Sequence, residues 1–184
     1  MKAFTTKNLI ICGVYTALIL ACQLVLSGIA GVELVSVLLL SFCYVKGVRC
    51  GLLVATAFSL IRCFIFGFMP QVIILYLIYY NLFAVAFGLL GKLFSRKYTL
   101  KGHVLSSFSS GVLTVGFTLL DCVITPLMYS FTVKASNAYF IASIPVIIPH
   151  VICVVATTVL LFFPLVKVLS LTQTSNKKQT VADK

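Results

Sequence analysis

The stretch LSSFSSGVLTVGFTLLDCVITPLMYSF, residues 105–131, decides how this chain is read. It is long and apolar enough to cross a membrane, yet it carries Asp121. Around that carboxylate fall Ser107, Ser110, Gly111, Thr114, Thr118 and Thr125, spaced by three or four positions apart from the neighbours 110 and 111. On an α-helix these spacings make one polar stripe. A carboxylate within a lipid-embedded helix costs roughly 2.5 kcal/mol or more to insert, and it faces the bundle interior or a water-filled cavity. Asp121 is therefore a candidate site residue, and its stripe is expected to line a cavity.

The rest of the composition belongs to the same environment. Hydrophobic residues make up 61% of the 184, charged residues only 9%, and the mean hydropathy is +1.18. A soluble domain carries about 25% charged residues. The chain reads as an all-α integral membrane protein of one domain, long enough for about six helices of about 20 residues each. The net charge of +11 does not point to nucleic acid, because the basic residues flank apolar segments and form no patch with aromatics. Seven cysteines, at 12, 22, 43, 50, 63, 122 and 153, all lie in or beside apolar runs, with no CxxC pair and no Cys/His spacing of a metal site. They read as small buried apolar residues, and neither metal nor cofactor is expected.

Residues 1–7 form a basic lead, residues 8–170 the membrane domain, and residues 171–184 a polar tail expected to be disordered and cytoplasmic. Asn8–Leu26 is the first apolar run. Gly28-Ile29-Ala30 has the small-x-small look of a cleavage site, but the run exceeds the usual h-region of about 7–15 residues and further spans follow, so it is read as a retained helix. The turn 27–32 leads to Glu33 and a short second segment, Leu34–Val45, about 20 Å long as a helix and expected to tilt or to end below the surface. Lys46-Gly47-Val48-Arg49 is a tight basic turn. Cys50–Phe66 is the third span, with Arg62 near its far end, and Gly67-Phe68-Met69-Pro70 breaks it.

Gln71–Leu90 is the fourth span. Tyr76, Tyr80, Phe83 and Phe87 share one face, while Asn81, Ala84, Gly88 and Gly91 share another that reads as a packing face. After the basic loop 91–103 comes the fifth span, then a polar turn at 132–137, then the sixth span within 138–169. Twelve basic residues would lie on one side of the membrane and only Arg62 and Lys134 on the other. Six spans with both termini cytoplasmic are the topology that this asymmetry predicts.

That topology assigns depths to the polar residues. Glu33 opens the second helix at the outer face, Arg62 lies in the outer part of the third, Asp121 in the outer half of the fifth, and His150 near the middle of the sixth. Asn81 sits at mid-depth with Tyr76 and Tyr80 above it. Arg62 can snorkel, or pair with Glu33 or Asp121. Glu33 can serve a helix N-terminus, and His150 can be satisfied by a helix carbonyl. Tyr129 and Tyr139 suit an interfacial belt. Pro126, Pro145 and Pro149 each remove a backbone donor, freeing carbonyls that can line a pocket open to the outside. In the first span Gly13, Ala17 and Ala21 repeat every four residues, which suits close helix packing within the monomer or a face for a partner subunit.

The combination resembles the S components of energy-coupling-factor (ECF) vitamin transporters. Carrying the resemblance are Gly13-Val-Tyr-Thr-Ala17-Leu-Ile-Leu-Ala21, similar to that family's AxxxA-type motif, and Gly31-Val-Glu-Leu-Val-Ser36 with the Lys46-Gly-Val-Arg49 turn and Gly51. It covers about residues 8 to 170. The resemblance implies a membrane subunit that captures a vitamin or precursor in an outward pocket. It also implies docking through the first helix onto a transmembrane T subunit energised by two ATPase subunits. It implies substrate contacts at Tyr76, Tyr80, Asn81, Thr118, Asp121 and His150, with Glu33 and Arg62 above, and docking at Gly13, Ala17 and Ala21. The chain has no Walker A loop of its own, and no enzymatic activity is expected.

Aromatic faces suit a flat ring or a cation, Asp121 and Glu33 favour a donor or positive group, and an unpaired Arg62 would take a carboxylate or phosphate. Thiamine-like, pyridoxine-like, queuosine-like and corrinoid ligands all stay open. Competing readings are a stand-alone proton-coupled secondary transporter using Asp121 and His150, an intramembrane enzyme built on His150, Asp121 and a cysteine, and a non-transporting membrane scaffold.

Overall fold

The computed structural model describes the backbone of residues 6–28 and 33–182 and the side chains as far as Leu171. Residues 1–5 of the basic lead lie outside the described residues, as do Ile29, Ala30, Gly31, Val32, Asp183 and Lys184. Six helices follow in order: α1 (Thr6–Leu26), α2 (Val35–Lys46), α3 (Val48–Phe66), α4 (Pro70–Leu93), α5 (Leu100–Met128) and α6 (Val133–Ala182). Five are long and apolar enough to cross a membrane, and α2 is the short apolar second helix. The chain is an all-α, six-helix membrane bundle. Large apolar side chains cover its outside, such as Val14, Phe64, Leu127 and Leu160. That is the surface a lipid-facing bundle presents, since lipid tails do not drive such groups inward.

The short helix is the centre. Every residue of α2 from Val35 to Val45 is buried, and α1, α3, α4 and α6 all pack on it. Its all-round apolar sequence has no polar face to show, which is the pattern of a helix enclosed by others. Two glycines of α4 make its close approach feasible. A Cβ on Gly88 would stand 2.6 Å from the backbone nitrogen of Val48, and one on Gly91 would collide with the Tyr44 carbonyl. Gly51 likewise lies against Cys43 and Ala84. The Ala84, Gly88, Gly91 face of α4 thus packs on the α2–α3 corner.

The α2–α3 connection is Gly47 alone, at φ +86. A side chain there would be strained in the left-handed region and would also meet the Arg96 guanidinium at 2.6 Å. Arg96 belongs to the α4–α5 turn, where the Tyr44 hydroxyl donates to the Lys97 carbonyl at 3.0 Å. Lys46, Arg49, Lys92, Arg96 and Lys97 therefore gather at one end of the bundle. The start of α2, the end of α3 and the start of α4 lie at the other end.

Three boundaries differ from the sequence reading. The polar turn expected at 132–137 is shorter, since α6 already begins at Val133; Thr132 accepts from the Ser136 amide at 2.9 Å and so starts the helical ladder. The fifth helix begins at Leu100, where Thr99 caps it by accepting from the Gly102 amide at 3.1 Å. The helical backbone of α6 runs through Pro145, Pro149 and Pro164 and continues to Ala182, into the polar stretch 171–184. The α5–α6 hairpin is also longer than its neighbours.

Candidate functional site

A cavity of about 710 Å³ opens at the end of the bundle opposite the basic turns. All six helices or their flanks contribute: Gln23 from α1, Glu33 and Ser36 around the start of α2, Arg62 and Phe66 from α3, Tyr76, Tyr79 and Tyr80 from α4, Phe117 from α5, and Pro145, Pro149 and His150 from α6. Its size falls in the range of pockets that enclose one small molecule, about 300–1,000 Å³. The wall is mainly apolar and aromatic, with a few polar groups, which is the usual make-up of such pockets.

Glu33 is the polar hub. Its Oε2 pairs with His150 Nε2. Its Oε1 accepts from the Ser36 hydroxyl at 3.0 Å and from the Tyr80 hydroxyl at 3.3 Å. The Glu33 amide donates to Cys153 Sγ at 3.4 Å. One residue therefore ties the start of α2 to α4 and α6. The side chains of His150 and Glu33 remain 24% and 21% exposed, so the pair borders the cavity and is not sealed beneath it. No described side chain caps the α2 N-terminus, so Glu33 bridges helices where an N-terminal acid was one expectation. His150 likewise meets a carboxylate where a helix carbonyl was considered.

Arg62 takes neither of the carboxylates proposed for it. Its guanidinium carbon stands 4.1 Å from the centre of the Tyr76 ring and 5.0 Å from that of Phe66, an arrangement stabilised by the ring quadrupole. Among the described residues it has no ion pair, and its Nε is shielded without an acceptor. Gln23 Oε1 is shielded without a donor on the same wall. The Tyr76 ring is fixed by edge contacts to Phe117, at 5.7 Å, and by Tyr80, at 5.1 Å. Phe117 in turn lies 4.7 Å from Tyr79, giving a continuous aromatic wall.

The structure thus brings together Glu33, Arg62, Tyr76, Tyr80 and His150, and leaves Asn81, Thr118 and Asp121 off the cavity wall. Asn81 accepts from Thr56 at 3.0 Å and donates to the Leu77 carbonyl at 2.8 Å, joining α3 to α4. Thr118 donates back to the Thr114 carbonyl within α5. Asp121 accepts from Tyr139 at 2.6 Å and Thr125 at 2.8 Å, so it clasps α5 to α6 one turn beyond Phe117.

The stripe that begins at Ser107 has a different use from the expected one. Ser107, Ser110, Gly111 and Thr114 are buried, and a Cβ on Gly111 would come 3.0 Å from Val155 of α6. Ser110 donates to the Ser107 carbonyl and stands 3.4 Å from Thr158 Oγ1. Small residues whose hydroxyls bond back to their own helix make a close interhelical seam, and that seam joins α5 to α6. Gln23, Ser36, Tyr79 and Phe117 line the cavity without having been singled out. Tyr79 could have been found, since its ring sits three residues after Tyr76. Gln23, a polar residue late in an apolar run, was a visible signal as well.

Gly13, Ala17 and Ala21 are exposed on α1, and nothing lies within 4 Å of a Cβ built on Gly13. The inward face of α1 is instead Cys12, Tyr15, Thr16, Ile19 and Leu20. Packing within the monomer is therefore not what the small-residue repeat serves. Among the described residues no cluster of His, Cys, Asp and Glu could hold a metal ion. Compared with protein-family models, curated proteins and solved structures, the chain matches none of them.

Proposed function

We propose that this protein is the substrate-capturing S component of an ECF-type importer. It binds a small vitamin or vitamin precursor in the cavity and docks through α1 onto a T subunit driven by two ATPase subunits. The observation that carries this reading is the cavity, built from all six helices at the end opposite the basic turns. Basic turns mark the cytoplasmic side, so both termini lie in the cytoplasm and the cavity opens outward in the cell membrane. The second support is the outward face at Gly13, Ala17 and Ala21, smooth enough for another helix to approach closely. With no phosphate-binding loop of its own, the chain leaves energy supply to partner subunits.

A proton relay between Asp121 and His150 has less support, because each is engaged by a different partner, Tyr139 and Glu33. The test is to purify the full chain in mild detergent, denature it, and identify released small molecules by mass spectrometry. A vitamin-like compound near one per protein is expected. An empty protein that shows no thermal shift with any of a vitamin panel overturns solute capture. Gly13→Leu and Ala17→Leu should abolish co-purification with a T subunit and leave ligand binding unchanged; if they still co-purify, α1 is not the docking helix.

A further inference from the structure

The cavity holds three groups that can carry charge: Arg62, Glu33 and His150. Asp121, the other carboxylate considered for a positive ligand, is occupied by Tyr139 and Thr125 and is not on the wall. The net charge facing a ligand therefore follows from the Glu33–His150 bond. If the imidazole Nε2–H donates to the carboxylate, the pair carries one negative charge and Arg62 brings the cavity to zero. If the imidazole is doubly protonated, the pair is neutral and the cavity carries one positive charge. Neither state leaves it negative.

Glu33 is also heavily engaged as an acceptor. Ser36, Tyr80 and His150 already use its two oxygens. A cationic ligand would find only the one remaining lone-pair site, on Oε2 beside His150. It would also approach an arginine with no countercharge among the described residues. Arg62 is in the opposite condition. The rings of Tyr76 and Phe66 flank its guanidinium, and its Nε finds no acceptor. A guanidinium over a ring still has its N–H groups in its own plane, where a carboxylate or phosphate can take two of them. Leaving that cation in a mostly apolar wall without a counterion is costly.

Resting on the reading of the cavity as a solute-capture site, we propose that its ligand is a small ring-bearing anion whose carboxylate or phosphate monoester is held by Arg62. The ring lies along the wall formed by Tyr79, Tyr80 and Phe117. Gln23 Oε1, shielded and without a donor, accepts a hydrogen bond from an N–H or O–H of the same molecule. This selects against permanently cationic rings and favours acids and phosphorylated ring compounds.

The experiment uses the purified full chain and matched probes: pyridine-3-carboxylate, its neutral amide, N-methylpyridinium, and pyridoxine with and without its 5′-phosphate. The molecule released on denaturation is identified in parallel, and its phosphorus content separates a carboxylate from a phosphate. A released compound that is anionic at pH 7 is expected, with the anionic probes binding more tightly than their neutral partners. Arg62→Gln should weaken the anion by about 10- to 100-fold, the range for one hydrogen bond to a charged group, while leaving the neutral analogue within about twofold. Arg62→Lys, which keeps the charge and loses the fork, should fall between them and guards against a glutamine variant that fails to fold.

A neutral or cationic released ligand, or equal loss of amide and carboxylate binding in Arg62→Gln, overturns the anion assignment and leaves solute capture standing. No released compound together with no binding by any probe overturns both.

Discussion

Removing the Glu33 carboxylate should loosen the whole cavity end of the bundle. In Glu33→Ala three donors lose their acceptor: the hydroxyls of Ser36 and Tyr80, both on residues 2% exposed, and His150 Nε2. Interhelical hydrogen bonds in membrane proteins average about 0.6 kcal/mol, with a maximum near 1.7, while breaking a buried ion pair by removing one partner costs about 3–5 kcal/mol. The Glu33–His150 pair is about a fifth to a quarter exposed, so water recovers part of that. The expected destabilisation is about 2–4 kcal/mol, with Glu33→Gln costing about 1 because it keeps the shape and one acceptor oxygen. The assay is reversible unfolding in mixed micelles, run as a double-mutant cycle with His150→Ala. A coupling energy of about 1–2 kcal/mol is expected for residues in direct contact. If the single variants add without coupling, or Glu33→Ala unfolds like the wild type, then Glu33 does not tie α2 to α6.

Asp121→Ala should cost about 1–2 kcal/mol in the same assay, since two hydrogen bonds at the hairpin are lost, while ligand affinity stays within twofold. A large loss of affinity with unchanged stability would put Asp121 at the ligand after all. Gly88→Ala should destabilise by about 1–3 kcal/mol through overpacking, because its new Cβ would meet the Val48 backbone at 2.6 Å. Gly116→Ala is the matched control: nothing lies within 4 Å of that Cβ, so the helix-propensity gain of up to about 1 kcal/mol should appear. Equal effects of the two alanines would mean that α4 does not approach the α2–α3 corner closely.

Much of the architecture could be read without coordinates, for a physical reason. Helices in lipid must satisfy their own backbone, so apolar length alone reports each span. The short second segment, the breaks at Gly47 and Gly67, and the Ala84, Gly88, Gly91 packing face all came from local composition and from periods of three or four. The family resemblance added an expectation of function, which composition alone does not contain. Helix ends were less legible at 100, 133 and 182, where polar residues continue a helical ladder that the apolar pattern had left.

Side-chain partnership is another matter, because periodicity places a residue on a face but leaves open which neighbour that face meets. The stripe from Ser107 through Asp121 to Thr125 is expected on one face of α5 lining a cavity, yet its buried part meets α6 closely enough for a seam, and Asp121 finds Tyr139 across the hairpin. Glu33 and His150 are 117 residues apart, and only the central position of α2 brings them together. Arg62 had two candidate carboxylates by depth; rings of Tyr76 and Phe66 hold it instead. The sequence by itself determined that this is a six-helix membrane bundle with a short second helix and a set of rare intramembrane polar groups, because lipid solvation acts on each segment separately. Tertiary structure alone decided which of those groups share a cavity and which are spent on holding helices together, because that depends on helix depth, rotation and approach distance, quantities fixed by packing among segments far apart in the chain.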